Sequence, residues 1–78
     1  MVIYQTVEET LWNPYVGMYR AFGICAYHVD KEERQVIARI PDVFFDQEAA
    51  QKLVDICNRL ELDVVHLHDV VEDALQQE

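Results

Sequence analysis

No serine occurs anywhere in the 78 residues, and glycine, proline and cysteine appear only twice each. The missing serine removes the commonest nucleophilic triad, and two isolated glycines cannot build a phosphate-cradling loop. A single pair of cysteines, Cys25 and Cys57, matches neither a disulfide framework nor a zinc knuckle, so both are expected as buried apolar thiols. Basic residues are scarce: six stand against fifteen acidic ones, and the net charge of -9 opposes contact with phosphate backbones and anionic lipid. Neither nucleic acid nor a membrane is expected as a direct partner. No apolar run approaches the roughly 18 to 20 residues of a membrane span. The start, MVIYQTVEET, has neither the basic residues nor the apolar stretch of a secretory signal, which reads as cytoplasmic.

What is present is a strongly apolar chain, 51% hydrophobic, of the size of one domain spanning residues 1–78. Folding a chain this short withdraws only about 60 to 65% of its unfolded surface from water, so its core must be compact. Val2 to Glu9 alternates Val2, Tyr4 and Thr6 against Ile3, Gln5 and Val7, which with its β-branched and aromatic content predicts a strand. Asn13-Pro14 marks a turn. From Tyr15 to Val29 both alternating faces are largely apolar, as in a central strand, with Gly17 and Gly23 as places for a bend or bulge. Asp30 to Glu33 is a charged connection, and Gln35 to Ile40 predicts a third strand ended by Pro41, with Val36, Ala38 and Ile40 on one face.

At Asp46 the period changes from two to 3.6. Asp46 is placed to cap a helix whose apolar stripe is Ala50, Leu53, Val54, Cys57 and Leu60, with Glu48/Lys52 and Asp55/Arg59 as pairs four apart on its solvent side. Val64, Leu67, Val71 and Leu75 then predict a second helix with Asp63 as its cap. The fold expected is α+β: a three-stranded antiparallel meander followed by two helices packed on one face, β-β-β-α-α.

The run HLHD, His66 to Asp69, offers the one partial chemical motif. Two histidines at i and i+2 would share a metal from a strand, but on a helix they point roughly 200° apart. A binuclear hydrolase pattern of the type HxHxDH would also need aspartate and histidine where Val70 and Val71 stand. His66, Asp69 and Asp73, at i, i+3 and i+7, do fall within about 60° of one another on the polar side of a helix and could present three metal-capable atoms to one point. An ordinary acidic, solvated helix face explains the same residues. Cys25 with His28 cannot form a thiol and base, since i and i+3 on a strand point to opposite faces. No enzyme activity and no cofactor are expected.

The segment PDVFFDQEAAQKLVDICNRLELDVVHLHDVVEDAL, with FGI in the central strand, resembles a family of small uncharacterised bacterial proteins, a domain of unknown function found mainly in Gram-positive anaerobes. The likeness is carried most specifically by His66-Leu67-x-Asp69-Val70-Val71-Glu72-Asp73. Family members commonly carry proline where this chain has Val64, and an aromatic residue in place of His68. The resemblance implies a shared fold and no activity.

Two helices can cover only one face of a three-stranded sheet, so Tyr15, Tyr19, Cys25 and Tyr27, with Tyr4, are expected toward solvent, as an interface. Three readings follow. The leading one is a non-catalytic protein-interaction or regulatory module that forms a homodimer through the face bearing Tyr15, Tyr19 and Tyr27 and meets a basic partner through Asp69, Glu72 and Asp73. The second is a metal-binding protein using His66, Asp69 and Asp73. In the third, the acidic helix mimics nucleic acid and binds a basic protein.

Overall fold

The computed structural model describes residues 1–76, in the order β1 (Val2–Asn13), β2 (Gly17–Val29), β3 (Arg34–Phe44), α1 (Gln47–Arg59), a 3₁₀ turn (Val64–His66) and α2 (Leu67–Gln76). The strands form one antiparallel sheet in the order β1-β2-β3, and both helices follow them in the chain, which is the α+β meander expected from the sequence.

β1 and β2 are joined by the three residues 14–16, so β1 runs further than its alternation suggested, reaching Asn13 instead of stopping near Glu9, while β2 begins at Gly17, two residues later than expected. Asn13 Oδ1 accepts the Tyr15 amide at 2.8 Å, Pro14 presets the turn, and Gly17 takes the left-handed conformation (φ 78) that lets β2 begin. Tyr15 therefore lies in the turn, not on the sheet face where its spacing placed it.

β3 also departs from expectation. It continues past Pro41 to Phe44, because two irregularities absorb three residues more than β2 provides over the same span. One falls beside Ile37, between the pairs Ala26↔Ala38 and Tyr27↔Val36, and it turns Val36 away from the side that Ala38 and Ile40 share. The other falls at Pro41–Val43, opposite Gly23, where Asp42 has φ 57. An edge strand tolerates Pro41 here because its missing amide lies within a bulge.

α1 begins as its cap predicts, whereas Asp63 caps the 3₁₀ turn and α2 starts only at Leu67, so the second helix is not one continuous α-helix from Val64. Asp46 accepts the Glu48 amide and Asp63 the Val65 amide, each at 3.1 Å. α1 ends in a Schellman arrangement: Glu61 takes φ 50, Leu62 N–H donates to Cys57 O at 3.0 Å and Glu61 N–H to Asn58 O at 3.2 Å. Leu60 is thereby left exposed instead of extending the buried stripe. Glu48/Lys52 and Asp55/Arg59 do not form ion pairs; Gln51 Nε2 donates to Asp55 Oδ1 instead, at 2.8 Å.

The core lies between the sheet and the helices. Phe22, Ile24, Ala26 and Phe44 meet Leu53, Val54 and Cys57 of α1, with Leu67 and Val71 of α2 closing the layer. Tyr4 belongs to this core and is only 1% exposed, contrary to its expected place in the solvent-facing patch. Its hydroxyl donates to Leu62 O at 2.7 Å, satisfying the one polar atom that burial would otherwise strand. On the outer edge of β1 the Asn58 side chain accepts from Tyr4 N–H at 2.8 Å and donates to Tyr4 C=O at 3.0 Å, as a neighbouring strand would.

Candidate functional site

The side of the sheet away from the helices is set by alternation and register. Glu9, Leu11, Tyr19, Ala21, Cys25 and Tyr27 share it, with Arg34, Val36 and Arg39 from β3. Its centre is closed although no helix covers it. Arg39, opposite Cys25, reaches across β2 to an ion pair with Glu9, which stands opposite Ala21; Ala21 and Cys25 beneath are buried. Gly23 lies between them, and a Cβ there would sit 2.6 Å from Ile40 O, so the folded-over β3 backbone fills the space a side chain would take. Arg34 caps Tyr27 with its guanidinium 4.2 Å from the ring centroid. Thus Cys25 is buried, not part of a surface, and Tyr27 is half-covered. Glu9 keeps one oxygen, Oε2, buried with no donor among the described residues, so the carboxylate depends on Arg39 for its compensation.

The open part of the surface lies at the other end of the strands. β2 pairs with β3 no further than Phe22↔Phe44, and beyond it β1 and β2 continue alone through Glu9↔Ala21, Thr10↔Arg20, Leu11↔Tyr19, Trp12↔Met18 and Asn13↔Gly17. This two-stranded arm projects about 16 Å at strand rise. The large side chains around its end are exposed: Trp12 67%, Tyr15 94%, Val16 69% and Met18 68%, with Phe45, just after β3, at 78%. Tyr19 is half-buried, since its ring meets Phe45 edge-on at 6.0 Å and its hydroxyl donates to Asp42 Oδ2 at 3.0 Å. That hydrogen bond pushes the phenol above its ordinary pKa. Asn13, Val16, Tyr19 and Phe45 line a shallow apolar depression of about 320 Å³ on this side. Sequence reasoning found Tyr15 and Tyr19 but missed Trp12, Val16, Met18 and Phe45 as surface. The three-residue turn was the available signal, since a tight turn forces both strands to outrun a thirteen-residue helix.

The C-terminal residues occupy a different surface. His66 closes the 3₁₀ turn, whereas His68, Asp69, Glu72 and Asp73 lie on α2, and all five are exposed. Three residues per turn in that first segment, instead of 3.6, shift His66 off the azimuth a continuous α-helix would give it. The trio His66, Asp69 and Asp73 is not assembled: among the described residues no group of three or more His, Cys, Asp or Glu side chains stands close enough to hold an ion. Asp69, Glu72 and Asp73 remain together on one solvated helix as an acidic surface. Cys25 and Cys57 are both free thiols, on opposite sides of the sheet, and burial pushes the Cys57 pKa up. None of the helices among the described residues is long and apolar enough to cross a membrane.

Sealed core, closed sheet centre, apolar arm and acidic helix together define a small sheet-and-two-helix α+β module. The chain belongs to a family of unknown function, DUF6514, whose profile matches residues 1–77. No curated protein and no solved structure gives a match.

Proposed function

We propose that this chain is a non-catalytic protein-interaction or regulatory module, acting in the cytoplasm of a Gram-positive bacterium, with two binding surfaces. One is the tyrosine-bearing, apolar end of the sheet around Tyr15 and Tyr19, where the chain meets a second copy or another protein. The other is the acidic surface of Asp69, Glu72 and Asp73, suited to a basic protein partner. The observation that carries this reading is the cluster of exposed large apolar side chains at one end of so small a domain. Trp12 and Met18 face one side of the arm, Phe45 lies with Tyr19 on the other, and Tyr15 and Val16 are in the turn that joins the strands.

A photo-crosslinking residue introduced at Tyr15 in one strain and at Glu72 in another tests the reading in the native host. The expected result is a discrete adduct from at least one position, with the adduct from position 72 lost when Asp69→Lys and Asp73→Lys are added to the crosslinker-bearing chain. Absence of any discrete adduct from both positions, with the protein folded and abundant, overturns it.

A further inference from the structure

We infer that the outer edge of β1, from Thr6 to Trp12, is completed by an extended segment of another protein that alternates apolar and basic side chains. This rests on the interaction-module reading and gives its sheet surface a kind of partner. The two edges of the sheet are unlike. β3 is interrupted twice, carries Pro41 at the second irregularity and passes through a left-handed residue, Asp42, all of which spoil it as a template for another strand. β1 pairs with β2 without a break from Val2 to Asn13 and contains neither proline nor glycine.

Alternation fixes which main-chain groups of β1 face outward. In an antiparallel ladder they point toward the partner strand and away from it at alternate residues. Tyr4 points away, since its N–H and C=O are both taken by Asn58, so Thr6, Glu8, Thr10 and Trp12 point away as well. Among the described residues no loop, cap or side chain bonds to the main chain of these four, and Glu8, Thr10 and Trp12 are exposed. Asn58 thus makes the first two bonds that a neighbouring strand would make and leaves the next four outward residues without theirs. Another stretch of extended backbone is the chemistry that supplies both a donor and an acceptor at every second residue.

The side chains along this edge select its composition. On the side away from the helices stand Val7 and Leu11, both half-buried, while Glu9 between them is turned across the sheet to Arg39. On the helix side stand Thr6, Glu8 and Thr10, and Thr6 shares a cleft of about 380 Å³ with Gln51, Val54 and Asn58 of α1, where Gln51 holds the carboxylate of Asp55. Side chains of an added strand lie directly beside these two rows, so apolar groups suit the first and cations the second. A chain of net charge -9 attracts such a segment and repels its own copy.

The probe is a seven-residue peptide in which four lysines alternate with three valines, matching the length of residues 6–12. It is titrated into the full chain while Trp12, the one tryptophan, is followed by fluorescence and the backbone amides by hydrogen exchange. In the free chain the amides of Val7, Glu9 and Leu11, which face β2, are expected to exchange slowly and those of Glu8, Thr10 and Trp12 fast. The peptide is expected to slow the second set and to shift Trp12 emission to the blue. It is also expected to lose at least tenfold in affinity when one alternate set of its own amides is methylated, but not when the other is. Thr10→Pro removes an outward amide and no bond to β2, and is expected to weaken binding as much, with circular dichroism checking that it folds. If it does not fold, the methylated peptides decide. An edge already protected in the free chain overturns the inference, as does protection that rises with the chain's own concentration, which would mean a second copy. A peptide that leaves emission and exchange unchanged overturns it too. So do two methylated forms that bind alike, which would mean attraction by charge alone, and a glutamate-for-lysine peptide that binds as tightly. In each of these cases a crosslinked partner at Tyr15 or Glu72 would leave the module reading standing.

Discussion

Gly23 shows how one residue's lack of a side chain shapes the sheet. Its backbone dihedrals do not demand glycine, but its neighbour does: a Cβ would lie 2.6 Å from Ile40 O and 2.9 Å from Pro41 Cα, both backbone atoms that cannot swing aside. Gly23→Ala must therefore push the β3 bulge outward and disturb the Phe22↔Phe44 pairing that follows it. A cost of about 1 to 3 kcal/mol is expected, as for other overpacked sites. At roughly 4 to 8 °C per kcal/mol for a domain of this size, calorimetry would see a drop in Tm of several degrees. An unchanged Tm would mean that the bulge yields freely. The sequence marked Gly23 as a place for a bulge, yet the bulge itself falls on the partner strand, at Pro41–Val43. Pro41 read locally as a strand end, because what carries the chain past it is a pairing with Phe22 nineteen positions earlier.

Among the elements, those set by neighbouring residues were the legible ones. Asp46 and Asp63 cap helices because an oxygen two residues upstream of a free amide needs no tertiary help. Removing the second cap in Asp63→Ala is expected to cost about 1 kcal/mol, with urea denaturation showing a lower midpoint at unchanged slope. A larger loss would indicate that the 3₁₀ turn and the Leu67 packing fall together. That turn itself was not legible, since the apolar stripe of Val64, Leu67 and Val71 suits a continuous α-helix and only the backbone distinguishes the tighter first turn. Strand ends were the least legible elements. β1 was read to Glu9, but the short turn at residues 14–16 makes each pair formed force the next, up to Trp12↔Met18. The candidate surface shifted for the same reason, from the middle of the sheet to its end. Which side faces water follows from alternation, whereas closure by Arg39 and Glu9 depends on a diagonal contact across two strands.

At the scale of the whole molecule two core groups with raised alkaline pKa values, Cys57 and Tyr4, pull stability in one direction. Burial raises Cys57 above its ordinary 9.0, and burial, reinforced by nearby Cys57 and Asp63, raises Tyr4 above its ordinary 10.0. The unfolded chain therefore releases these protons first. Stability is fully present below about pH 8.5 and falls as the pH climbs through and beyond the unfolded values, by at most about 1.4 kcal/mol per unit for each group. Denaturation midpoints measured from pH 7 to 11 should stay level and then decline. Tyr4→Phe should be less stable at pH 7, having lost its bond to Leu62 O, but should decline less steeply above pH 10. A variant as steep as the parent would exclude Tyr4 as a source of the alkaline loss.

The grip of Asn58 on Tyr4 bears on how such sheets grow. A ribbon that polymerises edge upon edge must offer a free rim on both flanks. Here the amide of Asn58 already answers both main-chain groups of Tyr4, so the helix stands where an incoming strand would dock. Lateral addition is blocked at Tyr4, where an incoming strand would meet the Asn58 amide instead of two open main-chain groups.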